Sequence, residues 1–445
     1  MPSRDELKRR VADAIDTHSD ELIGAAKTIL GMPEPGFKEF RTARFVAEKF
    51  REMGIPFRDG IGITGVKGVL NEGKKGPTVG IFGELDSLIV SGHPHADKET
   101  NAAHACGHHC QIAMMLGVAR GLLTSGVLPE LAGRVAVMAV PAEEYIEIEY
   151  RNDLRKQGKL EFLGGKPEFV RLGALDDVDM AMMCHTSNDL EGKKLAVSSS
   201  NNGTVAKLIQ FIGRSSHAGG SPHMGINALN AASLAIMAIH ANRETFQDQD
   251  SIRVHPIITR GGDVVNAVPA DVRIETFVRG KTVQAIMDAN EKVDRALRAG
   301  ALAVGAQVRI ETLSGYLPMM TDEKLVEVYR PNAEALVGKE YVGTVGHRAG
   351  STDMGDISHI MPAIHPYVGG AAGIGHGSNY LIEDYNLAVI VASKALALTV
   401  VDLLADGAAL AQNVLKDYKP AMSREEYLRF MRSLNKDELF DPAKL

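Results

Sequence analysis

Apolar residues return every three or four positions through "RDELKRRVADAIDTHSDELIGAAKTIL", which predicts a helical N-terminal stretch. The pattern then shortens. "TVGIFGELD" is a β-rich run ending in acidic residues, "QIAMMLGVARGLL" is helical, and "RVAVMAV" and "VDMAMMCHT" read as strands. Strands separated by helices predict an α/β sheet with helices packed on its faces. In such sheets ligands gather beyond the carboxyl ends of the strands. Glu84 and Asp86, then Glu143 and Glu144, then His185 stand at those ends.

The middle of the chain follows another order. From "GTVAKLIQFIGR" it runs strand, helix ("INALNAASLAIMAIHANRETF"), strand ("SIRVHPIIT"), strand ("DVRIETFVRG"), helix ("TVQAIMDANEKVDRALRAGALAV"), strand ("QVRIETLSG"). This βαββαβ order is that of a small ferredoxin-like unit. After "GYLPMMTDEK" the α/β character resumes. The simplest organisation is therefore an insertion, residues 200–317, within a larger unit made of residues 1–199 and 318–445. The late apolar stretch "LAVIVASKALALTVVDLLADG" is broken by Ser393, Lys394 and Asp402, so it predicts a buried amphipathic helix and no membrane span.

Composition agrees with that picture and excludes some functions. A chain of 445 residues calls for two domains. A net charge of −7 and the lack of a Lys/Arg run leave no basic face for nucleic acid. Three cysteines make no disulfide framework, and "MPSRDELKRR" carries no apolar signal core. Both predict a soluble cytoplasmic protein.

One stretch departs from ordinary composition. "NAAHACGHHCQ" holds His104, Cys106, His108, His109 and Cys110 within seven positions. With the helix expected to begin near Gln111, "HACGHH" is read as the loop before it. In an extended loop Cys106 and His108 point the same way across Gly107, whereas on a helix they would diverge by roughly 200°. Downstream, Glu143 and Glu144 follow Pro141 at a strand end, where neighbours project to opposite faces. One can ligate a metal while the other serves as a base. His185 ends the next apolar strand, and His376 sits in the glycine-rich "GIGHGSNY". Taken singly, these are a small buried loop, a surface turn, a core histidine and a loop histidine. Together Cys106, His108, Glu144, His185 and His376 give five N/O/S donors, enough for two adjacent divalent ions. Zn²⁺ suits that set, with Mn²⁺ or Co²⁺ as options.

"HACGHH", "PAEE", "SSHAGGSPHMGINAL", "GGDVVNAVPADVRIETFVRG" and "GSTDMGDIS", in this order, resemble the aminoacylase/carboxypeptidase G family of metallo-amidohydrolases. The branch is similar to the indole-acetyl-amino-acid and p-aminobenzoyl-glutamate hydrolases. The resemblance implies a mixed-sheet, zinc-peptidase-like catalytic domain with an inserted lid that pairs two chains into a homodimer. It implies Cys106 as a bridging ligand, with His108, Glu144, His185 and His376 as the others. Glu143 takes the general-base position. His217 matches a lid histidine that reaches the partner's active site and holds the oxyanion, and Asn266 matches a lid asparagine that approaches the substrate. Asp86, His109 and His223 are secondary candidates. Two departures stand out: His109 where the branch carries an acid, and Glu84-Leu85-Asp86 where it carries Asp-x-Asp. The segment "YIEIEYRNDLRKQGKLEFLGGKPEF" is expected to reshape the pocket mouth, and His93 and His95 to sit on a solvated loop.

The expected reaction is hydrolysis of the amide of a small N-acyl or N-aroyl amino acid by a metal-activated water, with Glu143 as base. Two other readings share the parts: hydrolytic deamination of an activated aromatic amine, and a non-catalytic binding protein on this scaffold. Retention of all five ligands and the base argues against the last. No GxSxG elbow supports a serine nucleophile, and "GGAAGIGHG" lacks the GK[ST] of a phosphate loop.

Overall fold

A computed structural model describes residues 2–444. A six-stranded mixed sheet forms one layer, in the order Phe57–Ile61, Gly65–Leu70, Arg134–Val140, Thr78–Glu84, Met180–Met182, Ala363–Ile364. The last four strands run parallel, and the first two add antiparallel. Every residue of Thr78–Glu84 is buried. A strand covered on both faces reads as a continuous apolar run, as this one does.

Helices cover the sheet. Arg4–Thr17, Ser19–Leu30, His108–Thr124 and Ala392–Leu404 pack on one another. The N-terminal helical pattern is two helices, broken at His18. The late apolar stretch opens with a π-helical segment, Asn386–Val391, and continues as Ala392–Leu404. Among the described residues Asn386–Leu404 is the one helix long and apolar enough to cross a membrane, yet it lies largely buried in the core.

A 13-residue strand, Ser200–Ile212, leads into the second layer. Its far end pairs with Asp271–Gly280 on one side and Gln307–Tyr316 on the other, while its near end pairs with Met319–Met320 and Arg348–Ser351. Helices Ala228–Ala241 and Val283–Val304 pack on this sheet. Asp271–Gly280 alternates between half-buried and buried residues, one face under the helices. "SIRVHPIIT" is two short strands, Arg253–Val254 and Ile257–Arg260, interrupted at His255 and Pro256. Proline has no N–H to donate to the ladder. Lys436–Phe440 also joins this sheet, antiparallel to Gln307–Tyr316. The end of the chain thus returns to the strands of the middle segment.

Candidate metal centre and active site

The helix after "HACG" begins at His108, earlier than its apolar pattern indicates. Cys106 and His108 therefore come together without an extended loop. Gly107 turns the chain with φ 90° and ψ 13°, a left-handed conformation that places both side chains on one side. A Cβ at this position would lie 2.0 Å from Thr186 Oγ1. His108 Nδ1 lies 2.9 Å from the Asp86 carbonyl oxygen and 3.3 Å from Asp86 Oδ1, which directs Nε2 into the site.

Glu143 and Glu144 lie in the turn beyond Arg134–Val140, past Ala142 in the left-handed region at φ 55°. Three groups brace that turn. Glu144 N–H donates to Asp86 Oδ2 at 2.8 Å, Ala142 N–H donates to Glu39 Oε1 at 2.8 Å, and Tyr316 Oη–H donates to the Glu143 carbonyl. Beneath it the guanidinium of Arg151, fully buried, donates to the carbonyls of Ala142, Leu163 and Glu144.

Two donor groups converge and share a residue. Cys106, His108 and His185 place one ligand atom each within 4.8 Å of one another, and so do Cys106, Glu144 and His376. Cys106 Sγ lies 3.3 Å from His185 Nε2, and His376 Nε2 lies 3.4 Å from Glu144 Oε1. A third group, Glu84, His108 and Glu143, adjoins them. Its Glu84 already holds a cation, the Lys166 ammonium.

The donor set fits divalent metal. His108 Nε2 and Glu144 Oε1 are buried without a well-formed hydrogen bond, facing only Glu84 Oε2 at 3.1 Å and His376 Nε2 at 3.4 Å respectively. Burial opposes charge on His108, but Glu84 and then Cys106 outweigh it and raise its proton affinity. For His185, burial and then the nearby His108 push the pKa down to about 4, so the ring is neutral with Nε2 free to ligate. Burial, then Glu144, drives the Cys106 thiol up. A site that raises one imidazole, strands a carboxylate oxygen and penalises a thiolate is short of positive charge.

A cavity of about 510 Å³ opens over these groups, with Cys106, Glu143, Glu144, His185 and His376 on its wall. Two arginines that sequence patterns do not single out also line it. Arg279 and Arg348 pair across the same long strand, opposite Thr204 and Asn201 respectively. Arg348 stacks over the Tyr367 ring at 4.1 Å, and Arg279 over Phe277 at 5.1 Å. Among the described residues neither has a carboxylate partner.

Other candidates fall elsewhere. His217 and Asn266 are exposed, on two loops joined by an Ala218 N–H to Asn266 carbonyl bond of 2.9 Å, and neither lines this cavity. His223 is exposed in the same region. Asp86 orients His108, and His109 turns to the opposite side of the loop, beside His104. His93 is buried, not solvated as its loop predicts, with Nε2 2.8 Å from the Tyr380 carbonyl. The segment after the glutamates supplies both the Arg151 brace and, through Tyr145 and Ile146, part of the cavity wall.

Residues 80–399 match the sequence pattern of peptidase family M20/M25/M40. The chain belongs to this family. The M20 chain is 28% identical to the Xaa-Arg dipeptidase of Mus musculus over 95% of its own length and 94% of the relative's. It is 25% identical to the indole-3-acetyl-aspartic acid hydrolase of Enterobacter agglomerans, covering 82% and 92% of the two chains. Its fold is similar to that of a dinuclear metal-binding M20 peptidase from Bacillus subtilis, with a TM-score of 0.62 at 22% identity, over 87% of this chain and 99% of that one. Membership makes the protein a hydrolase of the peptidase and amidohydrolase class.

Proposed function

We propose that this M20 chain hydrolyses the amide bond of a small N-acyl amino acid or dipeptide with a free carboxylate. Cys106, His108, Glu144, His185 and His376 would hold two ions, zinc or manganese, with Cys106 standing in both donor groups. The observation that carries the reading is the meeting of two donor groups at Cys106 on a cavity that also presents Arg279 and Arg348. Two guanidinium groups without carboxylate partners favour an anionic substrate end. The names of the two curated relatives, a dipeptidase and an indole-3-acetyl-aspartic acid hydrolase, support the same substrate class.

The ions, when bound, polarise the scissile carbonyl and acidify a water. Glu143 performs the proton transfers. Burial, then the charges of Glu84 and Glu144, raise its proton affinity well above that of a free carboxylate. A carboxylate of raised basicity takes a proton from water readily and returns it to the leaving nitrogen. Arg279 and Arg348 orient the substrate by its carboxylate. His217 and Asn266 serve the cavity of a partner chain in a cytoplasmic homodimer. Their exposure supports this role, as does that of the apolar side chains beside them: Val265 is 99% exposed and Val264 60%.

The test is a product assay on the metal-loaded protein with N-acyl amino acids and dipeptides, beside Glu143→Gln. Release of a free amino acid is expected, with Glu143→Gln retaining its metal and losing at least about 100-fold in kcat. Release of ammonia from an aromatic amine, with no amino acid product, would overturn the reading in favour of deamination.

A further inference from the structure

The strand Thr78–Glu84 ends in a carboxylate that the set of five ligands leaves out. Glu84 is fully buried, and its two oxygens differ in their surroundings. Oε1 accepts from the Lys166 ammonium. Oε2 has no well-formed hydrogen bond and lies 3.1 Å from His108 Nε2. His108 Nδ1 contacts the Asp86 carbonyl, which can only accept, so in the neutral ring Nε2 carries a lone pair. Two facing electron-pair donors at this separation repel unless a cation lies between them. A proton would draw them into line, and they are out of line. A metal ion requires no such line. Metal–nitrogen and metal–oxygen distances are about 2.0–2.2 Å, so two donors at roughly 90–110° on one ion stand about 2.9–3.5 Å apart. The separation of Glu144 Oε1 and His376 Nε2, 3.4 Å, falls in the same range.

Charge and reach agree with that geometry. Lys166 is shared between Glu84 and Asp353, so one ammonium faces two carboxylates and one negative charge is left over. The Glu84 backbone N–H donates to Gln111 Oε1 at 3.2 Å, which ties the strand end to the helix bearing His108. Donor atoms of Glu84, His108 and Glu143 lie within 4.8 Å of one another, and His108 also belongs to the group of Cys106 and His185. The chain has Glu84 where the similar branch carries an aspartate. That shorter side chain would end one carbon–carbon bond, about 1.5 Å, short of the same point.

We propose that Glu84 is a further ligand of the ion held by His108, with Oε2 as the donor and Lys166 fixing the other oxygen. The proposal rests on the two-ion reading above and adds to it. The ion at His108 has four protein donors, Glu84, Cys106, His108 and His185. The ion at Glu144 and His376 has three, Cys106 included, and keeps an open position for water or substrate. The first ion is therefore the tighter of the two, and Glu143 stays free as the base.

The experiment strips the full chain of metal, loads it with Co²⁺ and measures both dissociation constants by competition with a chromophoric chelator, recording visible spectra alongside. Wild type is compared with Glu84→Asp, which keeps the charge beside Lys166 but falls short of the ion, and with Glu84→His, which reaches it with a nitrogen. Two cobalt ions are expected in wild type, one held more tightly. Glu84→Asp should weaken the tighter ion by at least about 10-fold, the least that a lost supporting contact costs. Glu84→His should recover most of that affinity and shift the cobalt d–d bands, which follow the donor atoms and not the packing. Wild-type affinity in Glu84→Asp would overturn the proposal. So would Glu84→His with wild-type bands, or with no recovery at a metal-free melting temperature equal to that of Glu84→Asp. In each of these cases the two-ion reading stands. Failure of wild type to bind cobalt would overturn both.

Discussion

Lys166 Nζ lies 2.6 Å from Glu84 Oε1, and neither side chain is exposed to solvent. The same ammonium pairs with Asp353 Oδ1, and the Lys166 backbone N–H donates to Asp353 Oδ2 at 3.0 Å. One buried cation thus serves two buried carboxylates next to the proposed metal ligands. Removing a single partner of such a pair leaves an uncompensated buried charge, at a cost of about 3–5 kcal/mol. Lys166→Met is expected to lose stability on that scale in urea unfolding. A loss below about 1 kcal/mol would show that Glu84 and Asp353 find other partners or simply bind protons.

Gly107 makes a narrower claim. Alanine there meets Thr186 Oγ1 and must also hold φ near 90°, which costs about 1–2 kcal/mol before any clash. Gly107→Ala is expected to lower both the melting temperature and the metal content, because Cys106 and His108 are aimed by this turn. Thr186→Ala in the same chain removes the clash but not the backbone strain, so recovery should be partial. Full metal content in the single variant would mean that the turn does not position the ligands.

The His104–Cys110 cluster was conspicuous because histidine and cysteine are rare enough for five in seven positions to stand out. Its geometry was not. The helix beginning at His108 is buried on nearly every side, so no polar stripe marks its first turn, and the apolar pattern alone placed the start too late. The long-range supports left no local trace. Lys166 lies 82 positions from Glu84 and 187 from Asp353. Arg151 reads as one charge in a charged segment until the fold carries it beneath Glu144. The strand and helix order of the middle segment was readable because one face of Asp271–Gly280 is buried and the other is not. The added strand Lys436–Phe440 was not, since its residues are mostly exposed and charged.

Glu39 governs a pH dependence. It is fully buried, accepts from Ala142 N–H and contacts Thr64 Oγ1, and burial followed by the charge of Asp86 pushes its pKa up to about 8. The folded protein therefore holds this proton more tightly than the unfolded chain, where the carboxyl titrates near its ordinary value. The contribution is fully present below about pH 4.5 and is lost as pH rises through about 8. Glu39→Gln keeps an acceptor for Ala142 and removes the titration. Its unfolding free energy should change less with pH between 5 and 8 than that of wild type, and at pH 8 it should be the more stable of the two. Parallel pH profiles would show that Glu39 is ionised in the fold.

His217 lies outside the cavity of its own chain, and that separation permits a test in which two inactive proteins make an active one. Under the dimer reading, each cavity uses its own Glu143 and the partner's His217. Glu143→Gln fails by its base and His217→Ala by its missing contact to the partner's cavity. In a mixed dimer one cavity carries both defects and the other carries neither. Random reassortment of equal amounts puts half of the chains into mixed dimers, so about one quarter of wild-type activity should return. Activity would depend on the time allowed for exchange and would be absent immediately after mixing. No recovery after full exchange, verified by a mass-tagged subunit, would return His217 to the solvent surface with no part in the reaction. Substantial activity in His217→Ala alone would carry the same meaning without the mixing step.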